Sequence, residues 1–417
     1  MRSTITTTVA AVAFAVAAVL GTSPVQAEKK ISFLAWNIPH FKAGAEKWMK
    51  QFKAKYPDVT IEWLDKKGSE WSTYYQTQVV AGTAPDIVDV QGGLWLEYAS
   101  KGGLLDLTPY LKADQASYTS ELYPEFLSSW VYEGKNYGVP FYISKTLLFY
   151  NQAMFKKAGL SGPPKTFDDL LAYAGKLSGG EKSGFMTLNF DWLYWSLMAM
   201  NGVEMFTPDL KKAAFNTPAA VAAVEKLAAA TKSGAINKIS WTGRWVKPNN
   251  AFAAGTIGML QAHSPAFMWM KAKGPWMNKD TVGVAQMPGN WSTPNSHALL
   301  ISKSTKYPKI AWEFAKMATS GGGAYDLGSS LNVLTGSKVA NKKLMAYFEK
   351  NIPDAVSVMK TQTEHLDKLV GNWPVAKDAA VKEAFYPELQ NALLGRKSAK
   401  EALDAAEKKV NRVLSRR

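Results

Sequence analysis

The chain has 417 residues and no cysteine, so disulfide bonds, thiol catalysis and cysteine-based zinc sites are excluded. Its formal net charge is +15, from 49 Lys and Arg against 34 Asp and Glu, but Arg244 is the only arginine between Arg2 and Arg396. Since arginine is the usual reader of bases and phosphates, this excess indicates a surface of scattered lysines, and nucleic-acid binding is not expected.

The first 27 residues are typical of a cleaved secretory signal peptide. Arg2 supplies a positive start, residues 9–20 are unbroken apolar sequence, and Val25-Gln26-Ala27 offers small residues for a signal peptidase. The apolar stretch is shorter than the roughly 20 residues that a transmembrane helix needs. A mature chain from about Glu28 carries 15 − 1 = +14, because only Arg2 is lost. Without disulfides it depends on its own hydrophobic core, and it is long enough for two domains.

Strands and helices alternate in the first part of the mature sequence. The predicted elements are strand 31–36, helix 39–56, strand 59–64, helix 72–80 and strand 87–90. In the first helix, Phe41, Ala45, Trp48 and Phe52 follow one another at spacings of four, three and four, which is an apolar helical stripe. Such alternation predicts a parallel sheet with helices on both faces.

The later sequence repeats the pattern less regularly. Extended segments are expected at 137–151 and 296–302, and a helix starts near Thr166, with a threonine cap and acidic residues in its first turn. Another helix is expected at 310–317, and the chain from about residue 341 is mostly helical. No linker rich in Pro, Gly and Ser divides the chain, so two domains joined by several crossings are expected.

Eight motifs, spread over essentially the whole mature chain, carry a family resemblance. They are FKAKYPDVTIEW (52–63), AGTAPDIVDV (81–90), KGGLLDLTPYL (101–111), GKNYGVPF (134–141), LFYNQAMFKKAGLSGPPKTFDDLLAYAGKL (148–177), FAAGTIGM (252–259), ISKSTKYPKIAWEFAKMATS (301–320) and LQNALLGRKSAKEALDAAEKKVNRVL (389–414). In content and order they resemble the family 1 extracellular solute-binding proteins of bacterial ABC importers, the maltose-binding-protein-like sugar receptors.

The resemblance implies an α/β, two-lobed periplasmic-binding-protein fold, in which each lobe is a sheet flanked by helices. Three hinge crossings are expected near 142–146, 296–300 and 331–334. The expected N-terminal lobe comprises 28–142 plus 299–333, and the C-terminal lobe 146–295 plus 335–417. The ligand is then captured in the cleft between the lobes.

The candidate ligand contacts follow from what a sugar presents to a protein. Patches of C–H stack on aromatic rings, and buried hydroxyls need hydrogen-bond partners. Aromatic and polar side chains near strand ends, at the expected crossings or at family positions are the candidates: Asn37, His40, Trp71, Gln91, Trp95, Tyr142, Ser144, Asp191, Trp192, Trp241, Arg244, His263, Ser264, Asn295, Asn332 and Trp373.

Two of these regions are open to more than one interpretation. By resemblance, residues 193–202 form a helix inside the second lobe; Trp192 at its entry is the foremost stacking candidate, Asp191 an acceptor, and Trp195 half core. Arg244 could pair with a carboxylate, phosphate or sulfonate, form a salt bridge between domains, or donate to neutral hydroxyls.

The expected function is the periplasmic substrate-binding component of an ABC importer, taking a disaccharide, oligosaccharide or glycoside. The partners that the resemblance implies are permease transmembrane subunits with a cytoplasmic ATPase, and the receptor is expected to be a monomer without cofactor or metal. One alternative is the same role for a phosphorylated or sulfonated sugar, or a polyol. The other is a glycoside-processing enzyme, which needs two carboxylates about 5 to 9 Å apart; nothing in the sequence fixes such a pair.

Overall fold

The computed structural model describes residues 28–38, 40–189 and 193–416. The expected signal peptide, residues 1–27, therefore lies outside the described residues. So do Asp191 and Trp192.

The strands of the described chain are β1 (Lys29–Trp36), β2 (Val59–Lys66), β3 (Ile87–Gln91), β4 (Val131–Tyr132), β5 (Lys135–Asn136), β6 (Gly138–Ile143), β7 (Thr146–Asn151), β8 (Ser183–Met186), β9 (Ile257–His263), β10 (Val282–Ala285), β11 (His297–Ile301) and β12 (Leu334–Thr335). The α-helices are α1 (Phe41–Lys55), α2 (Gly68–Val80), α3 (Leu96–Ser100), α4 (Thr108–Ala113), α5 (Pro124–Ser128), α6 (Gln152–Lys157), α7 (Phe167–Leu177), α8 (Trp195–Ala199), α9 (Pro218–Lys232), α10 (Val246–Ala253), α11 (Ala266–Lys271), α12 (Pro308–Thr319), α13 (Gly321–Leu331), α14 (Lys338–Asn351), α15 (Val356–Thr361), α16 (Asp378–Leu393) and α17 (Ala399–Ser415).

The first lobe is built on a six-stranded sheet in the order β12-β6-β11-β3-β1-β2. Strands β1, β2 and β3 are parallel, as the alternation of strands and helices predicts, while β11 runs antiparallel to both β3 and β6. On α1, Phe41, Ala45, Trp48 and Phe52 are buried, so the predicted stripe packs the helix onto its lobe. The predicted elements of this region are confirmed.

The second lobe is built on a smaller, four-stranded sheet in the order β10-β7-β9-β8. Strand β7 is antiparallel to β9 and β10, and β8 is parallel to β9. The predicted cap of α7 is present: Thr166 Oγ1 accepts from the Asp169 N–H at 3.0 Å, and the Asp169 carboxylate accepts from the Thr166 N–H at 3.0 Å. Helices α9, α16 and α17 pack together over this lobe.

The chain passes between the two sheets at a few short segments. It leaves the large sheet after β6, enters the small sheet at β7 through Ser144 and Lys145, and returns between β10 and β11. These two passages lie side by side, because the Asn295 N–H donates to the Ser144 carbonyl at 2.9 Å and Lys145 forms a β-bridge with Pro294. The exact division of the sequence between the lobes stays a prediction.

One predicted element is shorter in the structure. The helix expected over 193–202 is limited to α8, and Gly202, at a φ of +69°, turns the chain away three residues after the helix ends. Trp195 is only 1% exposed, which places it wholly in the core and not half in it. In the described part of the chain, no helix combines the length and the apolar character that crossing a membrane requires.

Candidate functional site

A cavity lies between the two lobes beside the paired passages. Its cavity volume is about 70 Å³, a narrow space that joins a wider recess beside Trp373. Its walls come from segments 92–96, 128–131, 293–296 and 371–374, and from Leu193, His263, Asp378 and Lys382. Both lobes and one passage therefore contribute to the same space.

Two tryptophans form the aromatic wall of the first lobe. Strand β3 ends at Gln91, and Gly92, at a φ of +61°, turns the chain into a single-turn helix that carries Trp95 to the cavity. The Trp95 ring lies 5.7 Å from the Trp130 ring, tilted by 43°. Trp130 Nε1 is buried and has no hydrogen-bond partner among the described residues. Trp95 and Trp130 are 3% and 2% exposed, so this wall is packed into the first lobe and presents only a small aromatic surface.

The opposite wall belongs to the second lobe and carries Trp373. This half-buried ring lies in the loop before α16, 5.4 Å from Trp195 and 5.5 Å from Phe206 by ring centroids, and nearly perpendicular to both. Edge-to-face packing of this kind fixes the orientation of the indole. A rigid aromatic surface thus borders the cavity on this side as well.

A charged pair lies beside Trp373. The Lys382 ammonium is 2.6 Å from Oδ2 of Asp378, one helical turn earlier on α16. The carboxylate lies in the first turn of the helix, where the helix dipole stabilises negative charge. The two charges offset each other, and both can hydrogen-bond to hydroxyl groups.

The passage between β10 and β11 provides the polar floor. Thr293, Asn295 and Ser296 border the cavity, and Asn295 is 8% exposed. The neighbouring Ser144 is buried and does not border the cavity, although its Oγ has no partner among the described residues. The floor is therefore formed mainly by the returning passage.

A stack of rings supports this floor from the first lobe. Tyr142 lies on His297, with ring centroids 4.1 Å apart, and His297 Nδ1 is 2.8 Å from Oδ1 of Asp89. Burial, and the charge of Asp89 beside it, raise the pKa of Tyr142 well above its usual value. Tyr142 is thus a neutral, packed phenol that supports the site without bordering the cavity.

Behind the passages, the second lobe holds a buried polar cluster. Lys145 Nζ donates to the Glu364 carbonyl, and Ser264 Oγ donates to Gln362 Oε1. Burial lowers the pKa of Lys145 to about 8. Ser264 is therefore used by the packing of the hinge, and it does not border the cavity.

The structure brings four of the predicted residues together at the cavity: Trp95, His263, Asn295 and Trp373. Gln91 ends β3 immediately before the cavity wall. His263 ends β9, and its ring stacks on Trp245 at a centroid distance of 6.5 Å.

Two predicted aromatic contacts lie instead in packed cores. Trp71 is 1% exposed and stacks on Trp36 at 5.6 Å. Trp241 is fully buried, and its Nε1 donates to Thr231 Oγ1 at 2.8 Å, so its polar group is already paired within the second lobe. Neither ring borders the cavity, because each is covered by its own lobe.

Other predicted residues lie away from the cavity lining. Asn37 and His40 are exposed where β1 leads into α1, and Asn332 ends α13 in the left-handed conformation at a φ of +55°. Arg244 is exposed and is also absent from the lining. Asp191 and Trp192 fall outside the described residues and stay predictions.

The predicted contacts did not include most of the cavity wall, and Trp130, Asp378 and Lys382 are the omitted residues with aromatic or charged side chains. Trp130 follows the short helix α5, and Asp378 and Lys382 open α16 far along the chain. Near Trp130, only the two preceding serines, Ser128 and Ser129, indicated an irregular segment of the chain. Asp378 and Lys382 have the i,i+4 spacing of an ordinary surface pair, which gives no indication of a cleft.

Comparison with known proteins matches residues 36–325 to the family described as bacterial extracellular solute-binding protein. The chain belongs to this family. A binding protein of Brucella abortus (strain 2308), BAB2_0491, is 26% identical over 285 residues, which span 64% of this chain and 66% of that protein. The maltodextrin-binding protein MdxE of Bacillus subtilis is 24% identical over 336 residues, 72% of either chain. The galactooligosaccharide-binding protein of the same organism is 27% identical over 175 residues, 42% of this chain and 39% of that protein.

Solved structures show the same two-lobed fold. The substrate-binding protein Lmo0181 of Listeria monocytogenes, in complex with cycloalternan, superposes with a TM-score of 0.78 at 23% identity, covering 94% of this chain and all of that one. A solute-binding protein of Thermotoga lettingae bound with α-D-tagatose gives a TM-score of 0.78 at 24% identity, covering 93% of this chain and all of that one. The fold class expected from the sequence is therefore confirmed.

Proposed function

We propose that this protein is the substrate-binding component of an ABC importer and captures a carbohydrate between its lobes. The observation that carries the proposal is the interlobe cavity, with Trp95 and Trp130 on one wall and Trp373 on the other. Aromatic faces suit the C–H surfaces of sugar rings, while the Asn295 side chain can pair with hydroxyls. The carbohydrates named for the relatives and bound in the similar structures support the same class of ligand.

The size of the cleft favours a ligand of more than one sugar unit. A second recess, with a cavity volume of about 480 Å³, shares Ser128, Ser129, Pro294 and Trp373 with the cavity and continues past the Trp373 ring towards Trp291. A second sugar unit therefore has both space and an aromatic ring. We infer a disaccharide, oligosaccharide or glycoside.

The charges of the cavity favour a neutral ligand. Among the described residues that border the cavity, the charged side chains other than histidine are Asp378 and Lys382, and they pair at 2.6 Å. An anionic sugar would need unbalanced positive charge at the walls. Arg244, the candidate for that role, is not among the described residues of the lining. A neutral sugar is therefore better supported as the ligand than a phosphorylated or sulfonated one.

Capture involves no covalent chemistry in this proposal. Ligand favours the closed form because only there do both lobes contact it, and the permease with its ATPase recognises that form. The protein acts as a monomer in the periplasm after export through the predicted signal peptide. Its role is to deliver the sugar to the permease unchanged.

Native mass spectrometry of the protein purified from its natural host tests this proposal. The expected result is a co-purified neutral carbohydrate that, in calorimetric titration, rebinds the emptied protein. If the protein is isolated empty, calorimetry against neutral di- and oligosaccharides replaces the first step, and at least one must bind. A bound mass that is not a carbohydrate, or a sugar returned chemically altered, would contradict the proposal.

A further inference from the structure

The two lobes meet at a glycine and a carboxylate. Gly93 lies in the single-turn helix of the first lobe, and Asp378 opens α16 of the second. A Cβ atom placed on Gly93 would lie 2.4 Å from Oδ2 and 2.9 Å from Cγ of Asp378. These separations are far below van der Waals contact. The lobes therefore approach this closely only because residue 93 has no side chain.

The Asp378 carboxylate is fixed from its own lobe. Lys382 pairs with the same Oδ2, and the two side chains are only 9% and 15% exposed, Asp378 being the more buried. Moving the carboxylate aside would separate a largely buried ion pair, which is strongly unfavourable. The contact therefore acts as a firm stop, unlike the free end of a flexible surface side chain.

We propose that Gly93 and Asp378 form the contact at which closure of the cleft ends, and that the missing side chain at residue 93 sets how far it closes. Both residues border the cavity, so this contact also sets the spacing between the Trp95 and Trp373 walls. A side chain at position 93 would hold the lobes apart and widen the cavity. The inference rests on the two-lobed fold and does not depend on the chemical nature of the ligand.

Cysteine cross-linking tests whether the lobes meet here in solution. The Cβ position of residue 93 lies 3.5 Å from Cβ of Asp378, within the roughly 3.5 to 4.5 Å of disulfides, and the chain has no other cysteine. In ligand-free protein, mild oxidation of the Gly93→Cys, Asp378→Cys variant should form an intramolecular disulfide, seen as the loss of two hydrogens. Gly175→Cys with Asp378→Cys is the matched control, because Gly175 has open surroundings on α7. A pair at 93 and 378 that stays as reduced as the control would overturn the proposal.

Hydrogen exchange tests the role of the missing side chain. Gly93 does not have a positive φ, so Gly93→Ala brings no backbone strain. In protein that holds its co-purified carbohydrate, and is therefore in the closed form, this variant should speed amide exchange in residues 92–96 and 378–382 several-fold, whereas Gly175→Ala should change neither segment. Adding Gly93→Ala to an Asp378→Ala background should have no further effect, because the obstructing carboxylate is gone. Unchanged exchange in Gly93→Ala, or an equal increase in both backgrounds, would contradict the proposed stop.

Discussion

Trp241 and Trp373 belong to the same lobe, yet one lies in a closed core and the other beside empty space. Trp241 is fully buried, lies perpendicular to Tyr194 at 5.9 Å, and donates its N–H to Thr231. Trp373 is half-buried and borders the interlobe cavity beside Asp378 and Lys382. The difference shows that an aromatic ring becomes a binding surface only where space and polar groups adjoin it. In a chain with 15 tryptophans, residue type alone does not make this distinction.

The largest expected effect is on the stability of the core region. Trp241→Ala removes a fully buried indole and leaves Thr231 without its donor, so the free energy of unfolding should fall by about 3 to 5 kcal/mol. Chemical denaturation measures this loss. Calorimetry on the fraction that remains folded should give ligand affinity within about twofold of the wild type. A tenfold weaker affinity with unchanged stability would place Trp241 in the binding site, and would contradict its assignment to the core.

Lys145 is a buried ionisable residue beside the hinge, and its effect on stability should depend on pH. Its pKa is lowered to about 8 from 10.5, so between these values the unfolded chain keeps a proton that the folded protein has lost. Stability therefore rises with pH across this window, and the burial cost is greatest below pH 8. Relative to Lys145→Met, the wild type should gain up to about 3 kcal/mol from pH 8 to pH 10.5. Denaturation curves at both pH values provide the test, and parallel pH profiles for the two proteins would contradict it.

Substitution of Trp373, which borders the cavity, should change the affinity for the ligand. Trp373→Ala removes the aromatic wall of the second lobe and should weaken ligand binding ten- to a hundredfold, about 1.4 to 2.8 kcal/mol. Trp269→Ala is a matched control, because that indole is also half-buried but contacts Lys273 away from the cavity. Calorimetric titration of both variants measures the difference. Equal losses of affinity would show that the cavity wall has no special role.

The smallest effect is expected at Arg244. This side chain is exposed and lies outside the described cavity lining, so Arg244→Ala should change affinity for a neutral sugar by less than about twofold. The same titration measures it. A large loss, confined to anionic ligands, would instead restore the ionic role considered from the sequence.

The elements were predictable where periodicity carries the signal. The apolar stripe of α1, the cap at Thr166 and the strand β3 each lie within one short window of sequence, and each is confirmed. Even so, the helix predicted over 193–202 was too long. Tertiary packing buries the short helix α8 as fully as it would bury a long one, so the apolar residues of this segment did not indicate where the helix ends.

The site was predictable only in part. Trp95 was a candidate because it follows the strand 87–90, where the family supplies ligand contacts, whereas no local pattern distinguished Trp373 from the other tryptophans. Trp130 and Asp378 were missed, because the contacts that define the cavity join segments far apart in the chain. The clearance that Gly93 provides for Asp378 is likewise a property of two lobes together, and no local pattern encodes it.

The crystal structure of the protein with the carbohydrate identified by mass spectrometry would show directly whether the ligand binds between the aromatic walls of the two lobes. We expect sugar rings in the interlobe cavity, contacting Trp95 or Trp130 from the first lobe and Trp373 from the second. A ligand bound to one lobe alone, or in a groove that none of these three rings borders, would contradict it.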